Sequence, residues 1–232
     1  MITYYTANDF FNLHSTDTLT ILSQFQTVQQ TTDYTCGAAA ALMILRYYNV
    51  GGWTEESIAD AMRIRPPAGK EKGIYGTSTR QLVSFFMSAG FLVESSLDRG
   101  EPYSFTDARA FRDWATASLK NGIPIMVEWL DWGGHWQVLI GIDTMGTEDI
   151  SDTVLIFADP YDTSDHHRDG YYIFGLERFF SMWMDAQYFY EEESVQQWVI
   201  ATPKEEHSAI FYAALRRRPA SQSGEAGLCL FA

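Results

Sequence analysis

Hydrophobic positions along this chain change their period about halfway. From Cys36 to Tyr48 the sequence CGAAAALMILRYY is apolar over a helical length, with no proline after its start, and predicts a buried helix. Asp33 and Thr35 are its candidate N-caps, and Asn49, Gly51 and Gly52 stop it. Trp53-Thr54-Glu55-Glu56-Ser57 sets a hydrophobic residue before a cap and an acidic first turn, which predicts a second helix to about Met62. Pro66, Pro67 and Gly69 open a loop that extends through Gly76. Thr77 or Ser78 can cap a third helix, with Leu82, Val83, Phe85, Phe86 and Ala89 as its apolar positions and Gly90 as its stop. A further helix covers roughly 106–120, where Phe111, Trp114, Ala115 and Leu119 form one stripe. Residues 1–30 contain few glycines and no prolines, and a helix or two is expected there.

After the Asn121-Gly122 turn the period shortens. Ile123 to Leu130, His135 to Asp143 and Thr153 to Asp159 are rich in Val, Leu, Ile and Phe and predict strands. Gly170 to Phe174 and Gln197 to Thr202 are further strand candidates, with a short helix from Leu176 to Met184 between them. Helices first and strands later predict an α+β fold, with N-terminal helices packed on a C-terminal antiparallel β-sheet. The pattern dissolves from about Pro203. The expected division is one folded domain over 1–204 and a C-terminal tail over 205–232, where Arg216-Arg217-Arg218-Pro219 precedes SQSGEAG.

Charge narrows the function. With 16 basic against 30 acidic residues and a net charge of −14, the chain lacks the basic balance that nucleic acid or an anionic membrane demands. No run of eighteen apolar residues occurs, so no membrane-spanning helix is expected. Met1 to Asp9 has neither Lys nor Arg and no apolar core, so no signal peptide is expected, and the location read from this is cytoplasmic. The cysteines, Cys36 and Cys229, do not form a secreted disulfide framework; a bridge between them is open but nothing calls for it.

Cys36 sits at the predicted start of a helix, where the positive end of the dipole favours the reactive thiolate. Gly37 and Ala38 follow it, small enough to let a substrate backbone approach. His135 opens the strand HWQVLIGID after Trp132-Gly133-Gly134, and Asp159 ends the strand TVLIFAD before Pro160. If these strands form an antiparallel hairpin, the start of the first lies beside the end of the second, and His135 and Asp159 share one end of the sheet. A nucleophile, a base and a carboxylate that orients the base are the parts of nucleophilic acyl transfer. Gln30, six residues before Cys36, can supply a side-chain donor to an oxyanion together with the Cys36 N–H, although Gln29 is adjacent and the choice between them stays open.

Trp132 and Trp136 flank the histidine, either shielding it from water or lining a cleft. The run Asp159, Asp162, Asp165, His166, His167 and Asp169 has no metal-ligand spacing and reads as a solvated loop, so neither metal nor cofactor is expected. Tyr171, Tyr172, Phe174, Phe179, Phe180 and Trp183 read as core.

Four blocks in order, QTTDYTCGAAAALMIL, YGTSTRQLVSFFMSAGF, GGHWQVLIGID and IFADPYD, resemble the C39 peptidase family and its C39-like relatives over about residues 25–165. Thr35 stands where many of those relatives have Asp. The resemblance implies a papain-like fold and a cysteine peptidase with Cys36 as nucleophile, His135 as base, Asp159 as orienting carboxylate and Gln30 in the oxyanion hole. The implied substrate is a peptide or small amide. A transpeptidase or acyltransferase on the same residues, or a catalytically idle peptide-binding module, are the competing expectations; the oligomeric state is not indicated.

Overall fold

The computed structural model describes residues 8–66, 76–99, 104–130, 134–162, 167–185 and 193–204. Its elements run β1 (Leu19–Ile21), α1 (Cys36–Tyr47), α2 (Glu55–Met62), α3 (Thr79–Ser88), β2 (Phe91–Ser95), α4 (Ala108–Lys120), β3 (Ile125–Trp129), β4 (His135–Asp143), β5 (Val154–Ala158), β6 (Tyr171–Gly175), α5 (Leu176–Ser181) and β7 (Gln197–Pro203). Apart from β1 and β2, helices precede strands, and the architecture is the expected α+β one of helices on an antiparallel sheet. The tail expected over 205–232, with Cys229, lies outside the described residues, as do Trp132, Asp165 and His166.

Local chemistry sets the helix starts. Thr54 and Ser78 cap α2 and α3 through reciprocal bonds with Ser57 and Gln81. Asp107 caps α4 by accepting from the Ala110 N–H. Helix α1 is the exception. Thr35 stands at its cap position but makes no capping bond, and neither does Asp33; the Thr35 hydroxyl donates instead to Glu55 on α2. What holds α1 is burial, since residues from Cys36 to Leu45 are all enclosed.

Among the described residues the sheet has seven strands in the order β2-β7-β3-β4-β5-β6, with β1 joined to β4 beyond the end of β3. Each paired neighbour is antiparallel. Residues 8–30 form no α-helix, contrary to expectation: they hold one short 3-10 turn, Phe10–Asn12, and strand β1. Leu19, Thr20 and Ile21 pair with Asp143, Ile142 and Gly141, so a long-range partner overrides the local preference. Strand β2 was likewise not foreseen; it is an edge strand paired with β7.

Alternation along the strands divides the side chains between two layers. Trp129 of β3 packs against Phe179 of α5, and Phe111 of α4 stacks on the same Phe179. On the other face Trp136 donates its indole N–H to the Thr77 carbonyl just before α3, and α1 lies on β4. The aromatic group expected as core is core: Tyr171, Phe179 and Trp183 are buried, and Tyr172, Phe174 and Phe180 pack against them.

Candidate active site

The hairpin inferred for β4 and β5 forms. Val138 pairs with Ala158, so His135 at the start of β4 and Asp159 just past β5 occupy one end of the sheet. His135 Nε2 lies 2.6 Å from Asp159 Oδ1. The same oxygen accepts from the Tyr161 backbone N–H at 2.9 Å, an anchor supplied by the turn after Pro160. Asp159 is 0% exposed and His135 4%. Cys36 begins α1, is 7% exposed and carries a free thiol. Its side chain lies close enough to His135 to raise the imidazole pKa, and because Nε2 faces Asp159, Nδ1 is the ring nitrogen left toward the sulfur.

Electrostatics follow from these contacts. Burial works against a charged imidazole, but the hydrogen bond to Asp159, the bond to Cys36 and the charges of both overcome it and hold His135 up at about 10. For Asp159, burial favours the neutral acid, yet the His135 hydrogen bond and charge, with smaller help from the Tyr161 N–H and the Gln137 side chain, hold its carboxyl below the ordinary carboxylate value. The stable arrangement at neutral pH is therefore an imidazolium between a carboxylate and the sulfur.

The loop before Cys36 is tied at both ends. The Gln30 backbone N–H donates to the Pro160 carbonyl at 2.8 Å, beside Asp159. The Gln30 side-chain Nε2 donates to the Thr32 carbonyl at 2.7 Å, and an amide nitrogen carries a second N–H. Gln29 differs: its Nε2 donates to the Asp159 carbonyl at 3.1 Å. One oxygen of Glu55, the first residue of α2, accepts from the Thr31 N–H at 2.9 Å, the Thr31 hydroxyl at 3.2 Å and the Thr35 hydroxyl. That single carboxylate fixes the segment from Gln30 to Cys36.

Several expectations about the surroundings need correction. Gly37 and Ala38 are buried and do not face a substrate. A Cβ on Gly37 would stand 2.5 Å from Thr77, so glycine is required there by helix packing. Trp136, 1% exposed and bonded to Thr77, does not line an open cleft. Asp162, expected in a solvated loop, is 3% exposed, and its Oδ2 closes the loop by accepting from the Gly170 N–H at 2.7 Å. Among the described residues no group of three or more His, Cys, Asp or Glu side chains is arranged to hold a metal.

Sequence reasoning missed Glu55, and it missed Glu128 and Asp185, both of which are buried close to His135. An acidic residue inside IMVEW, a strand buried at every position, is the signal that could have marked Glu128.

A cysteine at a helix start, beside a sheet histidine that pairs with a carboxylate, is the grouping of residue types that thiol chemistry uses. The family model described as Peptidase_C39 like family matches residues 19–189, and the chain belongs to that family. Among solved structures it is similar to the peptidase domain of Streptococcus ComA, a bi-functional ABC transporter involved in a quorum sensing pathway. The identity is 14% and the TM-score 0.45, covering 78% of this chain and 99% of that one. No curated protein matches. No described helix is long and apolar enough to cross a membrane.

Proposed function

We propose that this chain is a cysteine peptidase or amidase that hydrolyses a peptide or small amide through Cys36, His135 and Asp159. One observation carries the reading: a buried imidazole held 2.6 Å from Asp159, at the same end of the fold as a cysteine at a helix start whose proximity raises the imidazole pKa. The Cys36 thiolate adds to the substrate carbonyl carbon. Its oxygen takes the negative charge and is held by the Cys36 backbone N–H and the second N–H of the Gln30 amide. As the C–N bond breaks, the His135 imidazolium gives its Nδ1 proton to the leaving amine, and a thioester remains. His135, now neutral, takes a proton from water, which attacks the thioester. The acid departs and the thiolate–imidazolium pair returns. Asp159 stays ionised throughout and holds the ring with Nδ1 toward the sulfur. Hydrolysis is favoured over transfer to a second amine because water needs no additional binding site.

Alkylation tests the pair without a known substrate. Cys36 should react with iodoacetamide at about pH 6, and His135→Ala should abolish that reactivity. A thiol that stays inert up to about pH 8 in both proteins would overturn the reading in favour of an idle binding module. A peptide-library digest read by mass spectrometry would then separate water from an amine as the acceptor.

A further inference from the structure

Behind the cysteine lies a second ionisable group that the mechanism above does not use. Glu128 on β3 is 1% exposed and Asp185, four residues past α5, is 0% exposed. Two carboxyl groups this deeply buried beside one another ionise together only at a large cost, which favours a proton on one of them. The arrangement around them fixes where that proton sits. Glu128 stands between Trp136 of β4 and Gln197 of β7 in the strand register. The Thr79 hydroxyl donates to Gln197 Oε1 at 2.7 Å, which turns the amide nitrogen of Gln197 onto Glu128 Oε2. Oε2 is thus an acceptor, and Oε1 is the oxygen left to carry the proton toward Asp185.

The two carboxyl groups meet at Gly134. A Cβ built on that residue would lie 2.3 Å from Asp185 Oδ2 and 3.1 Å from Glu128 Oε1, and its φ is +108°. No side chain fits there. The space beside the α-carbon is filled by the acid pair, and the next residue is His135.

We propose that Glu128 and Asp185 share one proton and act as positioning residues, clamping Gly134 so that His135 meets Cys36 and keeping a single negative charge behind the thiolate. The proposal rests on the cysteine-hydrolase reading. Burial, then the charge of Asp185 and its hydrogen bond, then the charge of Cys36, all raise Glu128 well above the ordinary carboxyl range, and only Gln197 opposes them. The titratable groups facing Glu128 are Asp185 and Cys36; β7 and α3 present the neutral Gln197 and Thr79. Full ionisation would put a second negative charge within reach of the sulfur, opposing the thiolate that the reaction needs.

Glutamine reproduces a protonated glutamate here, because its oxygen can accept from Gln197 while its nitrogen donates to Asp185. The decisive comparison is the pH profile of Cys36 alkylation in Glu128→Gln and Glu128→Ala. Glu128→Ala removes the donor to Asp185 and loosens the clamp, and should lower the rate at about pH 6 by roughly tenfold or more, with Glu128→Gln restoring it. In parallel, the infrared carbonyl band of a protonated carboxylic acid should be present in the parent protein at neutral pH and missing from Glu128→Gln, a readout that survives if Glu128→Ala does not fold. Absence of that band from the parent protein, or a Glu128→Gln profile no better than that of Glu128→Ala, would overturn the proposal. A parent protein with an inert thiol but the band in place would instead sink the hydrolase reading and leave the shared proton standing.

Discussion

Asp159 and Glu128 are both enclosed at the His135 end of the sheet, yet their surroundings push their carboxyl pKa values in opposite directions. Burial pushes each toward the neutral acid. At Asp159 that push is defeated by an imidazolium 2.6 Å away and by the Tyr161 N–H on the same oxygen. At Glu128 the facing groups are Asp185 and Cys36, and both reinforce it. Depth therefore does not assign the role; the sign of the facing group does. One carboxyl is pushed toward the ionised form by a facing cation and the other toward the neutral acid by facing acidic groups, the division that the proposed chemistry would use.

The most severe way to break this contrast is to remove the cation that creates it. His135→Ala should lower turnover of any peptide or amide substrate by roughly 10²–10⁴-fold, measured as kcat/KM, because both the proton donor and the partner of the thiolate are gone. Asp159→Asn is gentler. The asparagine oxygen still accepts from His135 Nε2 and from the Tyr161 N–H, so the ring stays oriented while the charge is lost. The His135 pKa should fall from about 10 toward the ordinary imidazole range, seen by NMR titration of the ring, with turnover down about tenfold to a hundredfold. If Asp159→Asn left that titration unchanged, the sulfur and not the carboxylate would be holding the imidazolium.

Glu55 sharpens the comparison from a third direction, since it is a buried carboxylate that serves backbone and hydroxyl donors and no charged partner. Replacing it by alanine leaves the Thr31 N–H and the Thr35 hydroxyl without their acceptor, at a cost of about 1–3 kcal/mol in stability. The loop carrying Gln30 should loosen, and kcat should fall about tenfold or more, as for a weakened oxyanion donor. Alkylation of Cys36 should be spared, because displacement of iodide builds no oxyanion. Parallel loss of both activities would show that the loop holds the sulfur itself.

What was legible in the sequence follows the same physics. Cys36, His135 and Asp159 each sit at an element boundary drawn by local patterning: an alanine-rich helix, and two strands of Val, Leu, Ile and Phe around a polar loop. Antiparallel pairing then made their meeting a matter of register, and the first residue of β4 fell where expected. Glu55 and Asp185 were not legible and Glu128 was marked only by its place inside an apolar strand, because the significance of Glu55 and Glu128 comes from partners 20 to 69 positions away in the chain. Strand β1 was missed for the same reason, being three residues long and made by its contact with β4. Thr35 shows the limit of capping rules: a residue of the right type at the right place turned its hydroxyl to Glu55 on another helix.

The smallest expected effect is on stability, and it separates the two carboxyls by direction. Asp159 has a lowered folded pKa, so its stabilisation is present above about pH 3.8, its unfolded value, and is lost as the pH falls through the folded value. Glu128 has a raised one. Below about pH 4.5 it is protonated in both states and costs nothing; above that, the unfolded chain ionises while the folded chain keeps its proton, so stability declines as the pH climbs toward the folded value. The His135 contribution is full below about 6.5 and declines from there to about 10, where the unfolded imidazole has lost its proton and the folded one still holds it. Denaturant midpoints measured across pH should therefore lose part of their acid-side fall in Asp159→Asn and part of their decline above pH 4.5 in Glu128→Gln. A Glu128→Gln curve parallel to that of the parent protein would mean that Glu128 is ionised in the folded state, and the contrast between the two carboxyls would collapse.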